Sequence, residues 1–242
     1  MKKITFTVDG QKLEGTLFYP EKILSKNPAV LFLHGWRSSE KSAQGRAEAL
    51  CAIGFICMTF NMRGNSTSEG DINTLTREDF LNDCLSAYDY LIGLENVDKE
   101  HISVIGSSFG SYLATLVARE KNIENIVLRV PANYPNDGWD QPQINFSGDN
   151  NPDILHWRFK SLGKETTYAL DALSKFSGNI LLIESEKDEL VPHQTVENYI
   201  HAAPDTSKLT YILMKGADHA IHNEKLRAVY TNILTDWFKN KI

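Results

Sequence analysis

The stretch Gly106-Ser107-Ser108-Phe109-Gly110 decides the fold of this chain, because it marks a sharp corner between a strand and a helix. It follows the largely apolar segment 102–105, which is typical of a buried strand, and it opens a helical pattern of apolar residues over 112–117. A serine on such a turn has its hydroxyl pushed out of the sheet edge. Side chains two residues before and after it would collide with the neighbouring strand and helix, which favours glycine at both positions. The two glycines select Ser108, rather than Ser107 or Ser111, as the candidate nucleophile.

The composition is that of an ordinary globular protein. The chain has 242 residues, of which 42% are hydrophobic and 23% charged, enough for one α/β domain with a substantial core. The formal net charge is −6, and the chain has no long basic run, which argues against nucleic acid and anionic membrane surfaces as partners. No apolar run approaches the length of a membrane span. We therefore expect a small-molecule partner, and the oligomeric state is left open.

The order of predicted elements indicates the architecture. Two alternating segments, 4–8 and 12–19, flank Asp9-Gly10 and predict an antiparallel hairpin. Strands and helices then alternate, which predicts a mostly parallel, eight-stranded sheet with helices on both faces. The further strands are expected at 28–33, 55–60, 101–105, 123–130, 179–184 and 209–214, and the helices at 39–53, 76–94, 108–120 and 223–239.

One segment, residues 131–164, interrupts this alternation of strands and helices. It is rich in proline, asparagine and aromatic residues, and it is too long for a structureless loop inside a compact domain. We expect it to form a small cap, or lid, over a pocket. The predicted domain organisation is therefore a core made of residues 1–130 and 165–242, with residues 131–164 as a cap insertion.

The serine corner resembles the nucleophile elbow of the α/β-hydrolase family, in which an acid and then a histidine follow the serine in the chain. The segment after the strand 179–184 resembles the family's Gly-x-x-Asp-x-x-Val-Pro motif, although Ser185 replaces the glycine, and the match points to Asp188 as the acid. Gly216-Ala217-Asp218-His219 resembles the Gly-x-x-His element and points to His219 as the base. His222 lies close enough in sequence to be an alternative base.

The resemblance also implies two backbone donors for a tetrahedral oxyanion. One is the N–H of Phe109, the residue after the nucleophile. The other is the N–H of Trp36, because the family's second donor follows a His-Gly pair, here His34-Gly35. We expect His34 to hold this loop in place. This chemistry requires no organic cofactor and no metal ion.

The chain resembles in particular small bacterial carboxylesterases of the cinnamoyl or feruloyl esterase type, through its His-Gly-aromatic loop, its Arg63-Gly64 turn and its insertion. This resemblance implies a serine carboxylic-ester hydrolase that forms an acyl-enzyme from a small acyl or aromatic ester. The alternatives are a prolyl-oligopeptidase-like serine peptidase, an acyl thioesterase, or a non-catalytic hydrolase fold that senses a ligand. The expected substrate pocket contains Trp36, Arg37, Arg129, Trp139 and Trp157. The two arginines either attract a carboxylate or phosphate of the substrate or are ordinary surface or ion-paired residues.

Three cysteines, Cys51, Cys57 and Cys84, lie in apolar or helical contexts without metal-ligand spacing. We interpret them as buried reduced thiols, which are typical of a cytoplasmic protein.

Overall fold

The predicted N-terminal hairpin is present in the computed structural model, which describes residues 1–148 and 150–241. β1 (Lys2–Val8) pairs antiparallel with β2 (Gln11–Phe18). Asp9 and Gly10 join them with positive φ angles of 49° and 79°, as a tight two-residue hairpin turn requires. The other strands are β3 (Asn27–Leu33), β4 (Ile56–Phe60), β5 (Val97–Ser107), β6 (Asn125–Arg129), β7 (Asn179–Lys187) and β8 (Leu209–Asp218).

These strands form one sheet of eight in the described part of the chain, in the order β1-β2-β4-β3-β5-β6-β7-β8. β2 is antiparallel to both β1 and β4, whereas every later pairing is parallel. β4 and β6 are buried along their whole length, since both faces of the sheet are covered, and this explains the apolar residues at the centre of each strand. The predicted mostly parallel, eight-stranded sheet is confirmed.

Helices cover both faces, as expected. The helices α1 and α7 pack together on one face, and α2, α3, α5 and α6 form the layer on the other. The short α4 belongs to the insertion. The helices are α1 (Gln44–Cys51), α2 (Arg77–Ile92), α3 (Phe109–Glu120), α4 (Pro152–Trp157), α5 (Tyr168–Ser174), α6 (His193–Ala202) and α7 (Glu224–Lys239).

Several boundaries differ from the sequence prediction. The helix expected over 39–53 begins as a 3₁₀ turn at Glu40–Ala43 and becomes α-helical only at Gln44. β5 is longer than expected and reaches Ser107, so that the turn at Ser108 follows the strand without a linker. Helices α5 and α6 were not expected from the sequence. They are short, and they follow the insertion and the predicted acid motif.

All three cysteines are buried thiols. Among residues 1–148 and 150–241, no helix combines the length and the apolar character needed to cross a membrane. The cytoplasmic location expected from the cysteines stays a prediction.

The parallel strands direct the functional residues to one place. The carboxyl ends of β3, β5, β6, β7 and β8 meet at the same edge of the sheet, and the loops that follow them carry the candidate site.

Candidate active site

Ser108 lies on a strained turn between β5 and α3. Its φ and ψ angles are 55° and −117°, a conformation that non-glycine residues rarely adopt. Its N–H donates to the carbonyl of Arg129 over 2.9 Å, which ties the turn to the end of β6. A Cβ at Gly106 would lie 2.4 Å from the carbonyl oxygen of Gly110, so the flanking glycines are sterically required. The sheet and helix together hold Ser108 in this orientation.

Ser108, His219 and Asp188 form a hydrogen-bonded chain. His219 Nε2 lies 3.1 Å from Ser108 Oγ, and His219 Nδ1 lies 2.9 and 2.7 Å from the two carboxylate oxygens of Asp188. The Asp188 side chain is only 2% exposed, and its Oδ1 also accepts the N–H groups of Leu190 and Val191 over 2.9 and 2.8 Å. This geometry allows the imidazole to accept the serine proton while the carboxylate orients the ring.

The alternative base, His222, is directed elsewhere. Its Nδ1 lies 2.7 Å from a carboxylate oxygen of Asp218, and its side chain is 81% exposed. The structure thus places His219, and not His222, against Ser108.

The loop after β3 approaches the serine turn closely. A Cβ built on Gly35 would lie 3.5 Å from Ser108 Cβ, so Trp36 follows directly beside the nucleophile. In the described part of the chain, the backbone N–H groups of Trp36 and Phe109 donate to no protein acceptor. Both donors are thus available to an oxyanion.

His34 holds this loop through two hydrogen bonds of its ring. Its Nε2 accepts the N–H of Met62 over 3.1 Å, which places the ring proton on Nδ1, and Nδ1 donates to the carbonyl of Gly35 over 2.8 Å. Burial lowers the pKa of His34 to about 4, so the imidazole is neutral at neutral pH.

A cavity of about 500 Å³ opens onto Ser108 and His219. Of the predicted pocket residues, Trp36, Arg37 and Arg129 line it. Trp139 and Trp157 are not among the described residues that line it, and Trp139 instead packs edge-on against Tyr168, with 5.4 Å between ring centroids.

The insertion contributes other side chains to the cavity than the predicted tryptophans. Tyr134, Ser147 and Arg158 line it, together with the backbone of Gly148. Sequence patterns carry no signal for these residues, because the path of the insertion over the core decides which of its side chains face the cavity.

Arg129 is buried at the end of β6. Its Nη1 donates to Ser107 Oγ over 2.8 Å, and its Nη2 donates to the carbonyl of His219. Its guanidinium therefore connects the residue before the nucleophile to the backbone of the base.

Arg63, by contrast, lies outside the cavity and is ion-paired. It contacts Asp83 over 2.5 Å, Asp9 over 3.0 Å and Asp79 over 3.7 Å. It fixes its turn against α2 and the N-terminal hairpin.

Within residues 1–148 and 150–241, no three His, Cys, Asp or Glu side chains lie close enough together to hold a metal ion.

The fold and part of the sequence are similar to those of known proteins. In its fold, the chain is similar to Est1E from Butyrivibrio proteoclasticus, solved with ferulic acid bound, with a TM-score of 0.77, 20% identity and 98% of each chain covered. It is 23% identical over 216 residues to an uncharacterised protein of Mycobacterium tuberculosis, covering 88% of this chain and 70% of that protein.

A shorter match relates part of the chain to a plant enzyme. It is 33% identical over 114 residues to acylamino-acid-releasing enzyme 2 of Oryza sativa subsp. japonica, covering 44% of this chain and 15% of that enzyme. The model of the prolyl oligopeptidase family matches residues 41–242, most of the chain. With its sheet, its serine corner and this match, the chain belongs to the prolyl oligopeptidase family and is a serine hydrolase with the α/β-hydrolase fold.

Proposed function

We propose that this protein is a serine carboxylic-ester hydrolase, with Ser108 as nucleophile, His219 as base and Asp188 as orienting acid. The observation that carries the proposal is the hydrogen-bonded chain from Asp188 through His219 to Ser108, which opens onto the cavity. A serine hydroxyl is a weak nucleophile until a base removes its proton. His219 lies at hydrogen-bond distance from Ser108 and can act as this base.

The mechanism follows from these contacts. His219 Nε2 accepts the Ser108 proton as Oγ attacks the ester carbonyl carbon, and the carbonyl oxygen becomes an oxyanion that accepts the N–H groups of Trp36 and Phe109. The oxyanion collapses, the bond to the alcohol oxygen breaks, and His219 donates its proton to the departing alcohol. Water then attacks the acyl-enzyme by the same sequence and releases the acid and free Ser108.

Asp188 serves this cycle through His219. By accepting a hydrogen bond from Nδ1, it keeps the proton on that nitrogen, leaves Nε2 free to act as a base, and stabilises the imidazolium that forms.

We further propose that residues 131–164 form a cap on a core made of residues 1–130 and 165–242. Support comes from contacts between the core and two points of the segment. Gln143 N–H donates to the carbonyl of Leu75 over 2.8 Å, beside α2, and the carbonyl of Arg158 accepts Thr195 Oγ1 over 2.8 Å, from α6. Side chains of the segment line the cavity, so the cap would shape the acyl or alcohol site.

A second candidate is a serine peptidase or acylamino-acid-releasing activity. The family match and the similarity to the rice acylamino-acid-releasing enzyme favour it. We rank ester hydrolysis above peptide hydrolysis because the structural similarity to Est1E extends over 98% of both chains. The sequence similarity to the rice enzyme covers only 15% of that protein.

Labelling with a fluorophosphonate probe tests the nucleophile. The wild type is expected to label and Ser108→Ala is not, while Ser107→Ala, the matched neighbouring hydroxyl, keeps its label. No labelling of the wild type, or undiminished labelling of Ser108→Ala, would contradict the mechanism.

A substrate panel then separates the two activities. We would compare a chain-length series of 4-nitrophenyl esters and methyl ferulate with the 4-nitroanilide of N-acetylalanine. Higher kcat/KM for the anilide than for every ester would favour the peptidase.

A further inference from the structure

The cavity beside Ser108 is strongly cationic, although the chain as a whole carries a net charge of −6. Five of the chain's eight arginines line it, and the described lining residues include no Asp, Glu or Lys. These arginines are Arg37, Arg46, Arg129, Arg158 and Arg227. They come from separate parts of the chain, namely the loop after β3, α1, the end of β6, the insertion and α7.

Two of these arginines share one aromatic ring. The guanidinium carbon of Arg46 lies 4.9 Å from the centroid of Tyr230, and that of Arg129 lies 5.6 Å from the same centroid. Two positive charges on one ring repel each other, and the ring quadrupole offsets this only in part. Burial, assisted by the charge of Arg46, lowers the pKa of Arg129.

The charge of Arg129 has no contacting carboxylate, and the nearby carboxylates of Asp188 and Asp218 act on it only from a longer distance. Only 5% exposed, Arg129 donates to a hydroxyl and to carbonyl oxygens, and no carboxylate of the described residues lies within 4.0 Å of it. Its Nε is buried without an acceptor, and so is the Nε of Arg158, whose Nη1 donates to the carbonyl of Leu190 over 2.7 Å. A buried charge without a contacting counter-charge is costly.

The other two buried arginines of the chain differ from these. Arg63 is surrounded by three carboxylates, from Asp9, Asp79 and Asp83. Arg77 also has a buried Nε without an acceptor and donates to carbonyl oxygens among aromatic rings, but it differs in that it does not line the cavity. Four of the five cavity arginines, all but Arg227, have no carboxylate partner among the described residues. Of these four, Arg46 and Arg129 are the two that lie together on the ring of Tyr230, and this pair points to a missing anion.

We propose that the substrate of this site carries an anionic oxygen group, a carboxylate or a phosphate, that binds to Arg46 and Arg129. The proposal rests on the ester hydrolase function proposed above. A planar guanidinium presents forked N–H donors that match both groups. Because Arg129 also contacts Ser107 and His219, the anionic group would lie close to the reacting ester.

Two pairs of esters test this proposal and separate the two anions. The carboxylate pair is 4-nitrophenyl hydrogen glutarate against 4-nitrophenyl methyl glutarate, which differ in one charge on the acyl part. The phosphate pair is acetylglycerol 3-phosphate against acetylglycerol, which differ in the alcohol part. In at least one pair, we expect kcat/KM for the charged ester to exceed that of its neutral partner by about tenfold or more.

Arg46→Gln is the diagnostic variant, because it removes one charge while Ser108, His219 and Arg129 are kept. It is expected to bring the two esters of the preferred pair to within about threefold of each other. Arg119→Gln is the matched control, since Arg119 is paired with Glu120 on α3 away from the cavity, and it should keep the wild-type preference. Ser108-dependent hydrolysis with no preference in either pair would overturn the anion proposal alone.

A binding measurement keeps the test independent of catalysis. At equal ionic strength, glutarate or inorganic phosphate should raise the Tm of the wild type above its value in chloride, and Arg46→Gln should lose this increase. No fluorophosphonate labelling together with an anion-dependent Tm would reject the hydrolase but keep the anion site. A Tm that neither anion raises, in a protein that labels normally, would reject the anion site.

Discussion

The backbone of Gly110 lies directly against the carbonyl group of Leu33. A Cβ built on Gly110 would be 2.1 Å from the Leu33 carbonyl oxygen and 2.6 Å from that of His34. These atoms are backbone atoms at the end of the central strand β3, so no side-chain rotation can relieve the contact. The close approach brings the start of α3 and the His34 loop together, and with them the two proposed oxyanion donors.

Gly110→Ala should therefore disrupt the site and the fold together. We expect its free energy of unfolding to fall by about 3 kcal/mol or more, because α3 must move away from β3. Urea unfolding monitored by circular dichroism measures this change. Gly45→Ala is the control, since a Cβ at Gly45 meets nothing within 4 Å, and it should be neutral or stabilising by up to about 1 kcal/mol. Equal unfolding midpoints for Gly110→Ala and the wild type would contradict the close approach.

Asp188→Asn should leave the fold intact and remove most of the activity. The amide has an N–H₂ group where a carboxylate oxygen accepts from His219 Nδ1, so the imidazole is held in the wrong tautomer. We expect kcat to fall by about 10³–10⁴-fold, measured on the best ester of the panel. Asp218→Asn is the matched control, because the Asp218 carboxylate contacts the exposed His222, and its kcat should stay within about threefold of the wild type. Similar losses in both variants would count against Asp188 as the acid.

His34 should make the stability depend on pH below neutrality. Its folded-state pKa of about 4 lies below the ordinary value of 6.5, so the unfolded chain takes up a proton first as the pH falls. Stability is therefore lost on acidification from pH 6.5 toward pH 4, by about 2 kcal/mol over the first 1.5 units. His34→Gln should remove this part of the slope, as measured by urea unfolding at several pH values. His222→Gln, at an exposed position, should follow the wild-type curve, and an unchanged slope in His34→Gln would exclude this role.

Arg77→Met should loosen the proposed cap. The side chain of Arg77 is fully buried, and it donates to the carbonyls of Pro135 and Asp137 over 2.6 and 2.8 Å. Methionine keeps much of the volume but leaves both carbonyls without this donor, at a cost of about 2–3 kcal/mol. Limited proteolysis should then cut within residues 131–164 faster than in the wild type. Arg119→Met, on the exposed end of α3, should be cut at the wild-type rate, and cleavage confined to other segments would argue against a cap held by Arg77.

Much of the fold was predictable because its signals are local. The hairpin at Asp9-Gly10 and the buried strands follow from residues that are adjacent in sequence, since positive φ angles and apolar runs need no distant partner. Helices α5 and α6 were not predicted, because they are short and most of their stability comes from packing on their neighbours rather than from intrinsic propensity. The start of the first helix was misplaced for the same reason, since tertiary contacts shape the 3₁₀ turn at Glu40–Ala43.

The residues of the site likewise fall into those that local sequence predicted and those that only tertiary packing brought together. The sequence by itself determined that Ser108 stands on the strained corner, because Gly106 and Gly110 encode that turn within five residues. Only the tertiary structure decided that His219 rather than His222 reaches Ser108, and that Arg46 and Arg129 meet on Tyr230. The physical reason is that backbone sterics act between residues near in sequence. The meeting of side chains from distant strands and helices depends instead on how the sheet and its helices pack.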